Sequence, residues 1–454
     1  MRTQFSSKLI ASLIALALGI VLFTNEIRAA GDEELKKKDE TSRQVDELFL
    51  RGDWAGLDTI GSQYVRAYEK DSKQFAAMRT FFYVLPIEKT SDVLEGYNAW
   101  VKRFPNSYVA LYARARYHAY QAMAARGEET IDKVPVEQLQ KMQGHFAAAD
   151  ADIRRSLAFS SRPVMSYFQL IRIARYYGTP KNARAYYEKS ASLDPDVLIL
   201  ADEYLYSAQP RWGGSFKELQ NFPDDAMKQG LSPAKVVKLR AHARFLEAED
   251  ALFFGDKKRA SKLYAEVVND GSSKEYVALA LVELGRMADT KRDFEISAGY
   301  YNQALSLKPN DVRVLVGLAA AKRDANRPHE AIALYDRAIS LAPDDRWALA
   351  GRGWVQHKVL GNNEAAFPDM LKAAKLGEPS AQNVLGFLYW EGTGTQKNQA
   401  EALYWWTLSA KQNNETAVEN LRMAKRRLGD GFDTLRNAAL RAKQPSQTLE
   451  ITRP

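Results

Sequence analysis

The sequence predicts an all-α protein, an α-α superhelical solenoid behind an irregular helical N-terminal domain. Three observations carry the prediction. Ala304-Leu-Ser-Leu-Lys-Pro309-Asn-Asp311 recurs as Ala338-Ile-Ser-Leu-Ala-Pro343-Asp-Asp345, an interval of 34 residues between the prolines. Apolar residues fall on one helical face over long stretches, as at Tyr167, Leu170, Ile171, Ala174 and Tyr177. No stretch alternates apolar and polar residues cleanly over more than a few positions, so strand signals are almost missing. A fixed period in this range is the mark of stacked helix pairs.

The first segment reads as an address. Arg2 and Lys8 precede an uncharged, mostly apolar run from Leu9 to Phe23, and small residues follow at Ala29 and Ala30. This is the layout of a secretory signal over residues 1–30, too short for a comfortable membrane span. Cleavage after Ala29 puts Ile27 three residues before the cut, whereas cleavage after Ala30 puts Arg28 there, so an uncleaved N-terminal anchor stays open. Either way the chain is expected to be exported, as a periplasmic or secreted protein or one anchored in the inner membrane and facing the periplasm.

Residues 45–220 read as helices of irregular length. Trp100 with Phe104-Pro105 marks a turn, and Tyr108, Leu111, Ala115, Ala119 and Met123 continue as a helix. Gly178-Thr-Pro180 breaks the helix around Ile171, and Ala183, Tyr187 and Pro195 look like a degenerate repeat pair. One string fits no repeat: Tyr204-Leu-Tyr206, then Pro210-Arg211-Trp212-Gly213-Gly214-Ser215. With Trp100, Phe104-Pro105, Arg126-Gly127 and the Ile171 helix, it resembles a bacterial exported helical domain of uncharacterised function that often precedes helical repeats. That resemblance implies architecture and no chemistry. Residues 235–275 follow as a further degenerate repeat, with Gly255-Asp256 between helical runs and Ala260 and Tyr264 at small–aromatic spacing.

The regular repeats occupy 278–376. Leu284-Gly285 falls in the first helix of one unit and Tyr301 and Ala304 in the second; the next unit offers Leu315, Leu318, Ala331, Tyr335, Ala338 and Pro343. Small residues let paired helices approach, the aromatic fills the seam, and proline ends the second helix. The pattern resembles the tetratricopeptide repeat. A drifting third unit has Trp347, Leu349, Gly351 and Gly353, then Glu364-Ala365-Ala366. Over 377–427, Ala381, Leu385-Gly386, Tyr389, Gly392 and Gly394 lead to Asn398, Glu401-Ala402, Trp405 and Ser409-Ala410, which resembles the Sel-one-like repeat with its longer glycine-containing turn. Gly392 and Gly394 read as turn glycines, since no Gly-Lys-Ser/Thr follows. Residues 440–454 lack periodicity and read as a loose tail.

Composition narrows the chemistry. Cysteine is absent, which removes thiolate nucleophiles, cysteine-ligated metals, disulfides and lipoprotein acylation. The five histidines, His118, His145, His242, His329 and His357, include no pair three or four residues apart, so no helical zinc pair is built, and neither metal nor cofactor is expected. Lys and Arg number 64 against 56 acids, and they are spread rather than clustered, so the net charge of +8 does not point to nucleic acid. The cluster Lys425-Arg426-Arg427 fits the cationic last turn of a helix.

Two sets of residues remain as candidate sites. In the first, Arg211 grips a carboxylate or phosphate beside Trp212 and Ser215, with Arg114 and His118 of another helix lining the pocket. The same residues also fit a tight interhelical turn, with Trp212 in the core and Arg211 paired to an acid, and a solvated flank carrying Arg114 and His118. Ser215 lacks the Gly-x-Ser-x-Gly elbow of a nucleophile, and Asp150 with Asp152 or Glu247 with Glu249 point in different directions and read as exposed faces, so no enzyme is expected. In the second, the repeat register places Arg286, Arg313, Arg323, Trp347, Trp354, His357 and Lys358 on the concave face. That is a basic and aromatic groove for an acidic or extended peptide. Packing of Trp347 and Trp354 against the following unit fits the same pattern. The expected function is a protein–protein interaction module of the envelope, an adaptor, assembly factor or regulator. A ligand-binding or enzymatic domain at 45–220 and a self-associating scaffold are the alternatives.

Overall fold

The computed structural model describes residues 32–87, 91–126, 134–177 and 180–443. The signal over 1–30, the Arg126-Gly127 turn at its glycine, Gly178-Thr179 and the tail beyond Lys443 lie outside the described residues. Among the described residues there are helices and no strands, and no helix is long and apolar enough to cross a membrane. The chain forms two compact units that meet in sequence between Leu263 and Tyr264.

The first unit runs through α1 (Asp32–Leu50), α2 (Trp54–Lys70), α3 (Phe75–Val84), α4 (Ser91–Arg103), α5 (Tyr108–Arg126), α6 (Val136–Ser156), α7 (Val164–Tyr177), α8 (Pro180–Ala191), α9 (Leu198–Ser207), α10 (Phe216–Lys228) and α11 (Pro233–Phe253). One core extends from Val45 and Leu57 through Trp100 and Tyr112 to Phe222, Leu239 and Leu246. At its centre, α5 is buried nearly all round, with Leu111, Tyr112, Ala115 and Ala122 inaccessible. A helix covered on every side has no polar face to spare, so Arg116 does not lie on a solvated flank. It donates to the carbonyls of Tyr83 and Leu85 at 3.1 Å each, which satisfies groups left over at the end of α3.

The helix α12 (Lys257–Asp270) spans the division. The second unit continues as pairs: α13 (Lys274–Lys291) with α14 (Phe294–Leu307), α15 (Val312–Asp324) with α16 (Pro328–Leu341), α17 (Arg346–Trp354) with α18 (Asn363–Lys375), α19 (Pro379–Glu391) with α20 (Gln399–Lys411), and α21 (Glu415–Leu428) with α22 (Gly431–Ala442). Each second helix also packs on the first helix of the next pair. The recurring acid after each repeat proline starts the next helix: Asp311 Oδ1 accepts from Arg313 N–H at 3.0 Å and Asp345 Oδ1 from Ala348 N–H at 2.8 Å. These are N-caps, the role for which a short carboxylate side chain suits the position.

The seams are built as the spacing predicts. Ala298, Tyr301 and Ala304 pack with Leu281, Val314 and Leu318, and Ala331, Tyr335 and Ala338 with Leu315, Ala348 and Val355. The two turn glycines have positive φ, 74° at Gly392 and 71° at Gly394, and a Cβ on Gly394 would lie 2.3 Å from the carbonyl oxygen of Asn363. Only glycine can hold that backbone so close to another.

Candidate functional site

The residues of the candidate groove lie on α13, α15, α17 and the turn that follows α17, and each arginine among them already has an acid. Arg286 Nη1 donates to Glu283 Oε1 at 3.3 Å. Arg313 pairs with Asp311 at 3.2 Å. Arg323 grips its neighbour Asp324 through two bonds of 2.7 and 2.9 Å, and its guanidinium carbon lies 5.0 Å from the centre of the Trp354 ring. Burial pushes the Glu283 carboxyl up, with Arg286 and Arg313 pulling it back. Burial likewise raises Asp289, which accepts from the Tyr301 hydroxyl at 3.0 Å and feels Asp324 as a like charge. The charge of these arginines is therefore balanced by acids of the same helices and their caps. Asp289 and Asp324 occupy the same register positions as the residues singled out from the sequence, so that register also signals the acids.

At its far end the helix changes its winding. Val355–Val359 forms a single π-helical turn after α17, a departure that appears frequently at functional sites. It carries both His357 and Lys358. His357 is buried and donates from Nδ1 to Asn363 Oδ1 at 2.6 Å. Its Nε2 then bears a lone pair, and that atom has no hydrogen-bond partner. Burial lowers the imidazole pKa, which keeps the ring neutral. The Phe387 ring of the next pair lies 5.6 Å from the His357 ring and 5.3 Å from Lys358 Nζ. Lys358 is exposed and has no acid partner among the described residues. Neither Phe387 nor Asn363 was legible as part of this site, because both arrive from outside the first helix. Trp347 stands apart at the start of α17, 54% exposed and stacked under Arg346 at 4.5 Å. Trp354 is half-buried between the cores of two adjacent pairs.

The other candidate set is split between two places in the first unit. Arg114 on α5 binds both oxygens of Asp152 on α6, at 2.7 and 2.8 Å, and Asn98 on α4 at 3.1 Å. His118 faces His145 across the same helix pair, Nδ1 to Nδ1, at 3.1 Å. Arg211 faces α11 instead: it is buried against Asp250, with its guanidinium 5.1 Å from the Phe253 ring centre. Trp212 sets its ring edgewise on Tyr176 at 5.2 Å. Ser215 caps α10 by accepting from Glu218 N–H at 3.1 Å. Gly213 has φ of 92°, and a Cβ on Gly214 would fall 2.0 Å from the Ala208 carbonyl oxygen. The string is thus a tight turn held by close backbone approach.

The paired acids are not exposed faces. Asp152 is buried on Arg114, and buried Glu247 accepts from Arg259 at 2.7 Å and from Gln220 at 2.9 Å. Of the first pair only Asp152 points inward, whereas Glu247 and Glu249 are both buried in a helix covered on most sides, and an inward carboxylate needs a cation or a donor. A cleft of about 240 Å³ lined by Asp58, Ser62, Arg66, Glu69 and Asn106 opens elsewhere in the unit. Its Glu69 carboxylate is committed to the Ser160 hydroxyl and the Ser161 N–H, at 2.6 and 2.8 Å. Among the described residues no group of three or more histidines and acids is placed to hold a metal.

Comparison with known proteins agrees with this architecture. The chain is a repeat protein of the tetratricopeptide and Sel1-like kind. The Sel1 repeat family matches residues 173–195 and 379–414, and the tetratricopeptide repeat family matches 312–345. The match at 173–195 lies where the sequence shows a degenerate repeat pair. The chain is 27% identical over 191 residues to the chitin synthase regulator SKT5 of Saccharomyces cerevisiae, covering 42% of this chain and 22% of that protein. Solved structures similar to it include a Sel1 repeat protein from Oxalobacter formigenes, at 14% identity and a TM-score of 0.40, over 72% of this chain and 90% of that one. A protective antigen of uropathogenic Escherichia coli displaying an SLR fold aligns at 14% identity and a TM-score of 0.38, over 91% and 99%. Repeats of these families generally mediate protein–protein interaction and are typically non-catalytic.

Proposed function

We propose that the chain is a non-catalytic interaction module of the bacterial cell envelope, which holds a protein or peptide partner on the first-helix face of residues 278–427. The observation that carries this reading is the π-helical turn. It breaks a regular repeat at the point where exposed Lys358, buried His357 and the Phe387 ring meet. Lys358 offers a charge that no acid of the described chain meets, and an acidic partner group would seat there over an aromatic floor. Arg286, Arg313, Arg323, Trp347 and Trp354 line the approach. The match to a protein named as a regulator of another enzyme supports a regulator among the adaptor, assembly and regulatory roles. The N-terminal pattern of Arg2, Lys8, the apolar run and Ala29-Ala30 supports export.

Crosslinked capture from intact cells tests the binding face. A discrete partner recovered with wild type is expected to be lost with the double variant Lys358→Glu/Trp347→Ala. Both positions are exposed, so the fold is retained. Equal recovery by both proteins would remove the groove from the proposal. Cell fractionation tests export separately, with release by osmotic shock expected and retention in the cytosol counting against it.

A further inference from the structure

We propose that His118 and His145 form a binding site for a divalent transition-metal ion, held by two imidazole nitrogens between α5 and α6. The two residues are 27 apart in sequence and come from different helices, and the packing of α5 on α6 brings their Nδ1 atoms to 3.1 Å. The ring centres are 5.3 Å apart and the planes 38° from parallel. Metal–imidazole bonds are about 2.0–2.1 Å long, so an ion bonded to both nitrogens at this separation would subtend about 100° between them. That angle lies between the right angle of an octahedral or square-planar ion and the wider one of a tetrahedral ion. The nitrogens have the separation of a chelate, and both rings need only turn from their head-on hydrogen bond to aim at one ion.

His118 is part-buried between the two helices, with its ring against that of His145. In the metal-free protein one ring donates its Nδ1–H to the other. On binding, that ring moves its proton to Nε2, both Nδ1 lone pairs face the ion, and no net proton is released. The charges acting on His118 are Asp152 and Arg114, and these are bonded to each other, so their fields largely cancel at the site. With both its oxygens on Arg114, Asp152 is not a third ligand. Among the described residues no third histidine or acid is placed to join them. Two imidazoles without thiolate favour ions at the copper, nickel and zinc end of the series.

The test uses the full chain without an affinity tag, and copper(II) as the probe because it stands highest in that series. The expected result is one ion bound per chain at micromolar protein, with an electron paramagnetic resonance spectrum showing coupling to two nitrogens. His118→Ala and His145→Ala should each weaken binding by at least about tenfold to a hundredfold, the range for losing a group that merely orients a ligand. His145 is only half-buried, so its variant folds even where the His118 variant loses stability. Replacing exposed His329 should change nothing. Absence of a two-nitrogen spectrum in the wild type, or equal affinity in the wild type and the His145 variant, would overturn the proposal.

Discussion

The ring of Tyr335 lies on the bare Cα of Gly351: a Cβ there would come within 2.3 Å of the ring's edge carbon. The contact joins the second helix of one pair to the first helix of the next. Tyr301 makes the same contact with Gly317 of the next pair, and within pairs Tyr301 lies on Gly285 and Trp406 on Gly386. Helices meet closely here because glycine gives up its side chain to the aromatic of its neighbour, and this sets the spacing of the stack.

Gly351→Ala should therefore lower stability by about 1–3 kcal/mol, the usual range for an overpacked seam. On an unencumbered helix the same change gains up to about 1 kcal/mol. Gly299, with nothing within 4 Å of its would-be Cβ, supplies that control. Urea midpoints of the two variants should move in opposite directions.

Breaking the Arg211–Asp250 pair should be costly. Both side chains are buried, and burial raises the Asp250 carboxyl with Arg211 holding it down. Arg211→Ala leaves a buried carboxylate without its cation, for a loss of about 3–5 kcal/mol. Replacing both residues by apolar ones of similar volume should recover most of that loss. Thermal melts of the single and double variants check this.

Acidification should weaken the first unit through His118. Its folded pKa of about 4 lies below the unfolded value near 6.5. Below 6.5 the unfolded chain takes up a proton that the folded chain refuses, so stability is complete above that pH and falls as the pH drops towards 4. His118→Gln should flatten this part of the wild-type profile when melts of the metal-free proteins are compared across that window.

Removing a repeat cap should be milder. Asp345→Ala deletes the acceptor for Ala348 N–H and should cost about 1 kcal/mol, whereas Asp345→Asn should keep most of it. Chemical denaturation of the two variants separates capping from charge.

The repeat seams were legible because their logic is periodic. Tyr301, Ala304, Tyr335 and Ala338 announce themselves by spacing, and the prolines and acids after them mark the turns. What escaped was whatever depends on side chains meeting across helices. Asp250 is 39 residues from Arg211, and nothing local ties the two. His145 lies far outside the three- and four-residue spacing by which a histidine pair is sought. The π turn at Val355–Val359 has no turn residue inside it, and its extra winding is a property of the packed helix. The acids Asp289 and Asp324 were legible from the register that singled out the arginines, yet a face looks basic when only its cations are read.

Because Arg286, Arg313 and Arg323 already hold acids of the same chain, the face that carries them projects little long-range field. A protein meeting it would not be drawn in by electrostatic steering. It would associate at the ordinary orientational rate, about 10⁵–10⁷ M⁻¹s⁻¹, and that rate would change little with ionic strength. Discrimination among partners would then rest on how long each remains bound.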